Sequence, residues 1–147
     1  MDFYKNNAYP DVVLHDCCFT ISKFHDNLCF SFPTGVGISA DNDVIWNIPA
    51  KIKISKLDPS ALCILSVKPK MAIGQLRWIL KEISLENLEQ IFYSGHSLQV
   101  IDEFYSYGQA IWTCAIYPYD KRLSKKFGNI SLHVTTESPL EYYLDKK

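Results

Sequence analysis

The segment that decides the fold class is SLENLEQIFYSG, residues 84–95, because no other stretch has so clear a helical pattern. Ser84 is a candidate N-cap, and Gly95 can adopt the left-handed conformation that ends a helix. The polar residues between Ser84 and Gly95 lie on one side of the helix, and an apolar stripe lies on the other. The apolar stripe consists of Leu85, Leu88, Ile91 and Phe92.

A helix of this length is marginal in water, so its stripe must be buried against something. Asn87 stands where a capping box has Glu or Gln, so the reciprocal half of that motif is not expected. The sequence on both sides of the helix has strand patterns. We therefore predict a single α+β domain over residues 1–147, with one principal helix (about 85–94) packed on a mainly antiparallel β-sheet of hairpins.

Alternation of apolar and polar residues predicts the strands. Gln75–Ile83, QLRWILKEI, fits a helix or a strand, and the alternation of Leu76, Trp78 and Leu80 with basic residues favours the strand. Clear strands are predicted at residues 12–24, 28–32, 51–57, 61–67, 98–105, 109–117 and 130–136, and shorter extended pieces at 36–39, 43–48 and 140–144.

Turn residues join these strands into hairpins. We expect turns at Asp26-Asn27, at residues 58–60 and at residues 106–108, and a short edge strand at 140–144. The first turn places one set of side chains on the inward face: Cys17, Phe19, Ile21, Leu28, Phe30 and Phe32. Residues 1–10 are interpreted as a lead-in and 118–128 as a basic loop, and all seven prolines are expected outside strand and helix interiors.

Composition excludes several classes of function. With 48% apolar and 21% charged residues the chain should fold, and its net charge of −1 disfavours nonspecific nucleic-acid binding. No apolar run is long enough to span a bilayer, so we expect no membrane association and a cytoplasmic location. Five cysteines without a CxxC pair favour reduced, mostly buried thiols over a disulfide framework.

Catalytic and metal-binding patterns are weak. The densest group of potential ligands is His15, Asp16, Cys17, Cys18, His25, Asp26 and Cys29. On a regular strand these side chains cannot converge on one ion, so we predict no metal and no cofactor. His96 or His133 could serve a cysteine nucleophile, but His133 alternates with inward residues and is expected to face solvent. No nucleotide-binding or hydrolase motif occurs, so we assign no catalytic residue.

The unusual feature is the aromatic content of 14%, with nine tyrosines. Many of these tyrosines lie at predicted strand ends or in loops, where they could cap the sheet or form a binding surface, since Tyr is enriched at interfaces. Acidic residues beside the 106–108 turn could mark a charged edge strand or steer a basic partner. The predicted partner-binding residues, in two patches, are Tyr105, Tyr107, Tyr117, Tyr119, Asp102 and Glu103.

The order of segments is LHDCCFTISKF, DNLCFSF, ISLENLEQIFYSG, LQVIDEFYSYGQAIWTC, ISLHVTTE and EYY. It resembles small uncharacterised bacterial proteins, some of which are similar to the immunity proteins found beside secreted polymorphic toxins. The resemblance implies a small inhibitor that binds and blocks a toxin domain, and it carries no catalytic position to this chain. We therefore predict a non-enzymatic protein-binding module of the immunity type, with a small enzyme or ligand-binding protein as the alternative.

Overall fold

A computed structural model of the protein describes residues 2–5, 12–55, 61–106, 108–135 and 140–145, with residues 2–5 described by their backbone alone. In chain order the elements are β1 Asp2–Lys5, β2 Val12–Val13, β3 Cys18–Phe24, β4 Asn27–Ala40, β5 Asp43–Ile54, β6 Leu62–Ala72, β7 Gln75–Ile83, α1 Leu85–Tyr93, β8 Ser97–Ser106, β9 Gln109–Tyr117, α2 Lys121–Phe127, β10 Asn129–Thr135 and β11 Glu141–Leu144.

Strands account for 69% of the structure, and two short helices accompany them. The pairs between these strands are antiparallel, which confirms the prediction of a mainly antiparallel sheet. The sequence does not predict α2, so the α+β description with one principal helix fits only roughly.

The strands form one sheet in the order β1-β11-β5-β4-β3-β8-β9-β10-β6-β7, with β2 paired to β4. In a flat sheet β4 and β9 would lie three strand spacings apart, about 14 Å. The ring centroids of Phe30 in β4 and Trp112 in β9 are nevertheless 4.9 Å apart. The sheet therefore folds back on itself at β3, which pairs with β8 through Cys18 and Phe19 and with β4 through residues 20–24.

The core lies between the two facing halves of the folded sheet. Its largest side chains are each less than 2% exposed and include Phe19, Phe30, Phe32, Trp112 and Tyr142. Burying a large apolar side chain stabilises a fold by about 1.5–3 kcal/mol, so these aromatic rings hold the two halves together. Phe19, on the strand where the sheet folds, touches Phe32 and Trp112 from opposite halves.

Helix α1 packs its stripe against this core, as the sequence predicts. Leu88 and Ile91 are fully buried, and Gly95 has the expected positive φ of 84°. The capping box is complete, contrary to the prediction. The Ser84 hydroxyl accepts a hydrogen bond from the Asn87 backbone N–H at 3.3 Å, and Asn87 Oδ1 accepts one from the Ser84 backbone N–H at 3.0 Å. The shorter Asn side chain thus accepts the hydrogen bond from the N-cap backbone N–H that Glu or Gln usually accepts at this position.

The first hairpin has the predicted faces but a different register. Its two turn residues are His25 and Asp26, one position earlier than predicted, and Phe24 lies opposite Asn27. The pairing therefore shifts by two residues, which keeps every side chain on its own face. The predicted inward set is confirmed as buried: Cys17, Phe19, Ile21, Leu28, Phe30 and Phe32.

Three prolines lie inside strands, contrary to the prediction. Pro33 in β4 and Pro49 in β5 fall in the same register shift between those strands, where a bulge tolerates their missing N–H groups. Pro69 in β6 lies beyond Val67, the last β6 residue that pairs with β10, so it interrupts no β10 pairing. Pro10, Pro59 and Pro139 lie outside the described residues.

Several predicted connections are also wrong. Residues 12–24 are not one strand, because a turn at His15 and Asp16 separates β2 from β3. The lead-in contains β1, which pairs with β11, so β11 lies between β1 and β5 and is not an edge. The basic loop contains α2, whose N-cap is Asp120. Residues 51–57 and 61–67 do not form a hairpin, because β5 pairs with β4 and β11 while β6 pairs with β7 and β10; residues 58–60 lie outside the described part of the chain.

Candidate binding surfaces

Tyr105 and Glu103, two of the predicted partner-binding residues, direct their polar groups into the protein. The Tyr105 hydroxyl donates to Glu103 Oε1 at 2.6 Å and accepts from Trp112 Nε1 at 3.1 Å. Glu103 Oε2 accepts from the backbone N–H of the buried residue Leu14 at 2.9 Å. Burial, then the neighbouring Tyr142 and Glu103, raise the pKa of Tyr105 far above its ordinary value, so its hydroxyl stays a proton donor.

A bulge explains why these two side chains face inward. The β8–β9 register shifts between Val100 and Asp102, so the alternation changes phase at Ile101. The segment before β3 occupies the bulge, because Asp16 N–H donates to Val100 O at 2.8 Å and His15 Nδ1 donates to Ile101 O. As a result Glu103 points inward and Asp102 is exposed.

Tyr117 lies at the far end of the same hairpin, and Tyr119 follows just beyond it. Tyr117 is 50% exposed and Tyr119 is 77% exposed, so both phenols are available to a partner. Ser97 lies opposite Tyr117, whereas Tyr105 lies opposite Ala110 near the turn, so these two tyrosines are at opposite ends of the hairpin. Tyr107 lies outside the described residues, and the partner-binding role of the exposed residues stays a prediction.

Four of the five thiols are poorly suited to nucleophilic chemistry. Burial is the first cause of the raised pKa values of Cys17, Cys18, Cys63 and Cys114, and it brings the pKa of Cys17 to about 11. A thiol with a raised pKa is protonated at neutral pH, and the thiolate is the reactive form. Among the residues that the structure describes, no three His, Cys, Asp or Glu side chains are placed so that they could hold a metal ion together.

Seven residues line a cleft of about 520 Å³ where the bulge between β4 and β5 meets the turn before β3: His15, Asp16, Cys17, Thr34, Gly35, Trp46 and Asn47. His15 Nε2 lies 3.4 Å from Asp16 Oδ2. The neighbouring Cys17 thiol lies 3.6 Å from the His15 carbonyl oxygen and 3.7 Å from that of Val13. The cleft thus holds a His–Asp pair but no activated nucleophile.

The hairpin of β6 and β7 carries six of the thirteen large apolar side chains that are exposed among the described residues, a surface that the sequence pattern does not indicate. Residues 68–72 of β6 extend past the last pairing with β10 by about 17 Å, at about 3.4 Å per residue. Beyond that point β6 has β7 as its one strand partner among the described residues. The strand prediction for Gln75–Ile83 is confirmed, but every side chain from residue 75 to 82 is exposed.

The two faces of the hairpin differ in chemistry. Cross-strand neighbours share a face, and the pairs Pro69–Trp78, Met71–Leu76 and Val67–Leu80 form an apolar outer face. Trp78 is 61% exposed, and Leu76, Leu80 and Met71 are exposed to a similar degree. The opposite face continues the core side of β6 and is mainly basic, with Lys68, Lys70, Arg77 and Lys81 around one exposed apolar residue, Ile79. We name these the apolar face and the basic face of the hairpin.

The hairpin turn is also unusual. Its two residues, Ile73 and Gly74, both have positive φ, 51° and 71°, as a type I′ turn requires. Asn-Gly or Asp-Gly is preferred there, and a β-branched residue at positive φ is a conformational outlier. Ile73 is fully exposed. Gly74 is a turn residue that the sequence shows, but Ile73 is not one, so the Ile-Gly pair does not predict a hairpin turn by the usual residue preferences.

No protein-family model, curated protein or solved structure matches the chain. In the described part of the chain, no helix has the length and apolar character needed to cross a membrane.

Proposed function

We propose that the protein is a non-enzymatic binding module that acts in the cytoplasm and binds a protein partner through the β6–β7 hairpin. Following the resemblance to immunity proteins, the partner is a toxin domain that this binding blocks. The observation that carries the proposal is the apolar face, where Leu76, Trp78 and Leu80 stand in a row on a projecting strand. Exposed apolar patches of this kind mark interaction sites in soluble proteins.

Ile73 supports the proposal independently. An isoleucine in a left-handed turn stores conformational strain, and full exposure gives it no packing in return. Local choices that disagree with the fold concentrate at functional sites. A partner that buries Ile73 together with the apolar face would account for both features.

The alternative is a small enzyme or ligand-binding protein that uses the cleft beside His15. The raised pKa of Cys17 argues against a cysteine nucleophile there, because the thiol stays protonated at neutral pH. The His15–Asp16 pair is exposed, and Gln99 Nε2 donates to the Asp16 backbone carbonyl oxygen at 3.3 Å, a contact that leaves the imidazole and the carboxylate without a third catalytic group among the described residues.

The test is calorimetry with the product of the neighbouring gene, or with a protein captured from lysate and then purified. Truncating a central hot-spot residue costs about 2 kcal/mol or more, roughly thirtyfold in affinity. We expect that loss for Trp78→Ala and little change for Phe24→Ala, which is 73% exposed on a different hairpin.

Tyr119→Ala completes the design, because it tests the surface that the sequence alone predicts. A thirtyfold loss for Tyr119→Ala with none for Trp78→Ala would move the binding site to the end of β9. A chain that retains and turns over a small metabolite but captures no protein would favour the enzyme alternative.

A further inference from the structure

Among the described strands, none pairs with the outer edge of β7. β7 stands at the end of the strand order, and β6 is its partner along the whole length from Ala72–Gln75 to Ile64–Ile83. An edge strand presents alternate backbone N–H and C=O groups that another extended segment can pair with. β7 is regular over nine residues and has no proline, and its charges Arg77 and Lys81 discourage pairing with a like-charged edge while leaving the backbone groups available to a complementary segment.

Charge distinguishes the two sides of this edge. Within the described residues, no carboxylate lies within salt-bridge distance of Lys70, Arg77 or Lys81 on the basic face. Lys68 donates to the Lys126 carbonyl oxygen at 3.0 Å, which holds that ammonium group on the same face near α2. The apolar face has one charged residue, Glu82, at the end next to α1.

We propose that β7 receives an extended segment of the partner as an added strand, and that this segment alternates apolar and acidic residues. This inference rests on the proposed function of the hairpin and names the chemistry of its partner. A strand added to β7 continues the pleat, so its side chains alternate between the two faces. Side chains beside the apolar face bury Trp78 and Leu80, and those beside the basic face meet Arg77 and Lys81.

A second copy of this chain fits the edge less well. Two β7 strands paired antiparallel about a twofold axis would keep the basic face of one copy beside the basic face of the other. Arg77 and Lys81 would then lie among like charges on neighbouring strands, which destabilises pairing. An acidic segment replaces that repulsion with complementary charge.

The probe is a synthetic peptide as long as β7, blocked at both ends, in which Glu alternates with Leu, Val and Phe. The control peptide has the same composition in an order without the alternation. With the full chain we expect the alternating peptide to bind at least tenfold more tightly and to slow hydrogen exchange at the outward amides of β7. Raising the salt concentration should weaken binding, because the ion pairs at the edge are partly screened.

Variants separate the contribution of charge from general effects on the protein. Arg77→Glu should lower the affinity for the alternating peptide at least tenfold. Lys23→Glu, at an exposed position of β3, should leave that affinity unchanged. Equal binding of the two peptides, or unchanged exchange at β7, would overturn strand addition. Dimers of the free protein that dissociate in Trp78→Ala would overturn the choice of an acidic partner segment.

Failure of this inference is distinguishable from failure of the proposed function. If the purified partner loses affinity for Trp78→Ala while β7 amides exchange unchanged and Arg77→Glu binds normally, the hairpin is the binding site but strand addition is wrong. If the partner binds Trp78→Ala and the parent equally, the proposed function itself is wrong.

Discussion

The hairpins β8–β9 and β6–β7 have similar alternating sequences and opposite surroundings. Each carries a tryptophan in its second strand, and Trp112 is 1% exposed while Trp78 is 61% exposed. Trp112 packs against Phe19 and Phe30 because the sheet folds back over β9. Trp78 lies past the last β6–β10 pair and on the face of β7 opposite the core side, where most of its surface stays exposed. Alternation therefore defines two faces of a strand, and the folding of the whole sheet decides whether a face is covered.

The largest effect that tests this comparison is on stability. Trp112→Ala should lower the free energy of unfolding by about 3–5 kcal/mol, because it removes a buried ring and leaves a cavity. Trp78→Ala should change it by no more than about 0.5 kcal/mol, as for other exposed positions. Urea denaturation followed by circular dichroism measures both. A comparable loss for the two variants would mean that the β6–β7 hairpin packs against the body of the protein.

The parts of the fold that depend on local pattern were accessible from the sequence. The apolar stripe and the helix end at Gly95 predict α1. The inward face of the first hairpin is also predicted correctly, although its turn lies one residue earlier than expected. A shift of two residues leaves the faces unchanged, so hydrophobic alternation specifies the face more firmly than the register. Hydrophobic alternation also correctly predicts that Gln75–Ile83 is a strand.

The features that depend on long-range packing were not accessible. The bulge at Ile101 reverses which of Asp102 and Glu103 faces inward relative to an unbroken strand starting at Leu98, and it exists because the distant segment at His15 inserts there. The same bulge turns Tyr105 toward the core, so a predicted contact residue became part of an internal network. The exposure of Trp78 has no local sequence cause, because alternation alone does not tell which face of β7 continues the core side of β6.

A smaller effect tests the internal network of the β8–β9 hairpin. Tyr105→Phe should destabilise the protein by about 1–3 kcal/mol, because it leaves Trp112 Nε1 and Glu103 Oε1 without the hydroxyl that both contact. Tyr117→Phe is the matched control, since that tyrosine is 50% exposed and should tolerate the loss of its hydroxyl. Denaturation curves that coincide for Tyr105→Phe and the parent would show that the network contributes nothing to stability.

The smallest expected change concerns the tip of the β6–β7 hairpin, and it is a gain. Ile73→Asn should raise the free energy of unfolding by about 1 kcal/mol, or the Tm by about 2–4 °C, because Asn tolerates positive φ and Asn-Gly is the preferred type I′ pair. Ile79→Asn on β7 is the control, because it makes the same substitution outside the turn and should give no gain.

Ile73→Asn should also bind the partner less tightly than the parent, since it removes an apolar side chain from the proposed surface. A gain in stability with unchanged affinity would place Ile73 outside that surface, and no gain at all would mean that isoleucine is not strained at this turn. Higher stability together with weaker binding would show that the chain keeps an unfavourable turn residue because the partner requires it.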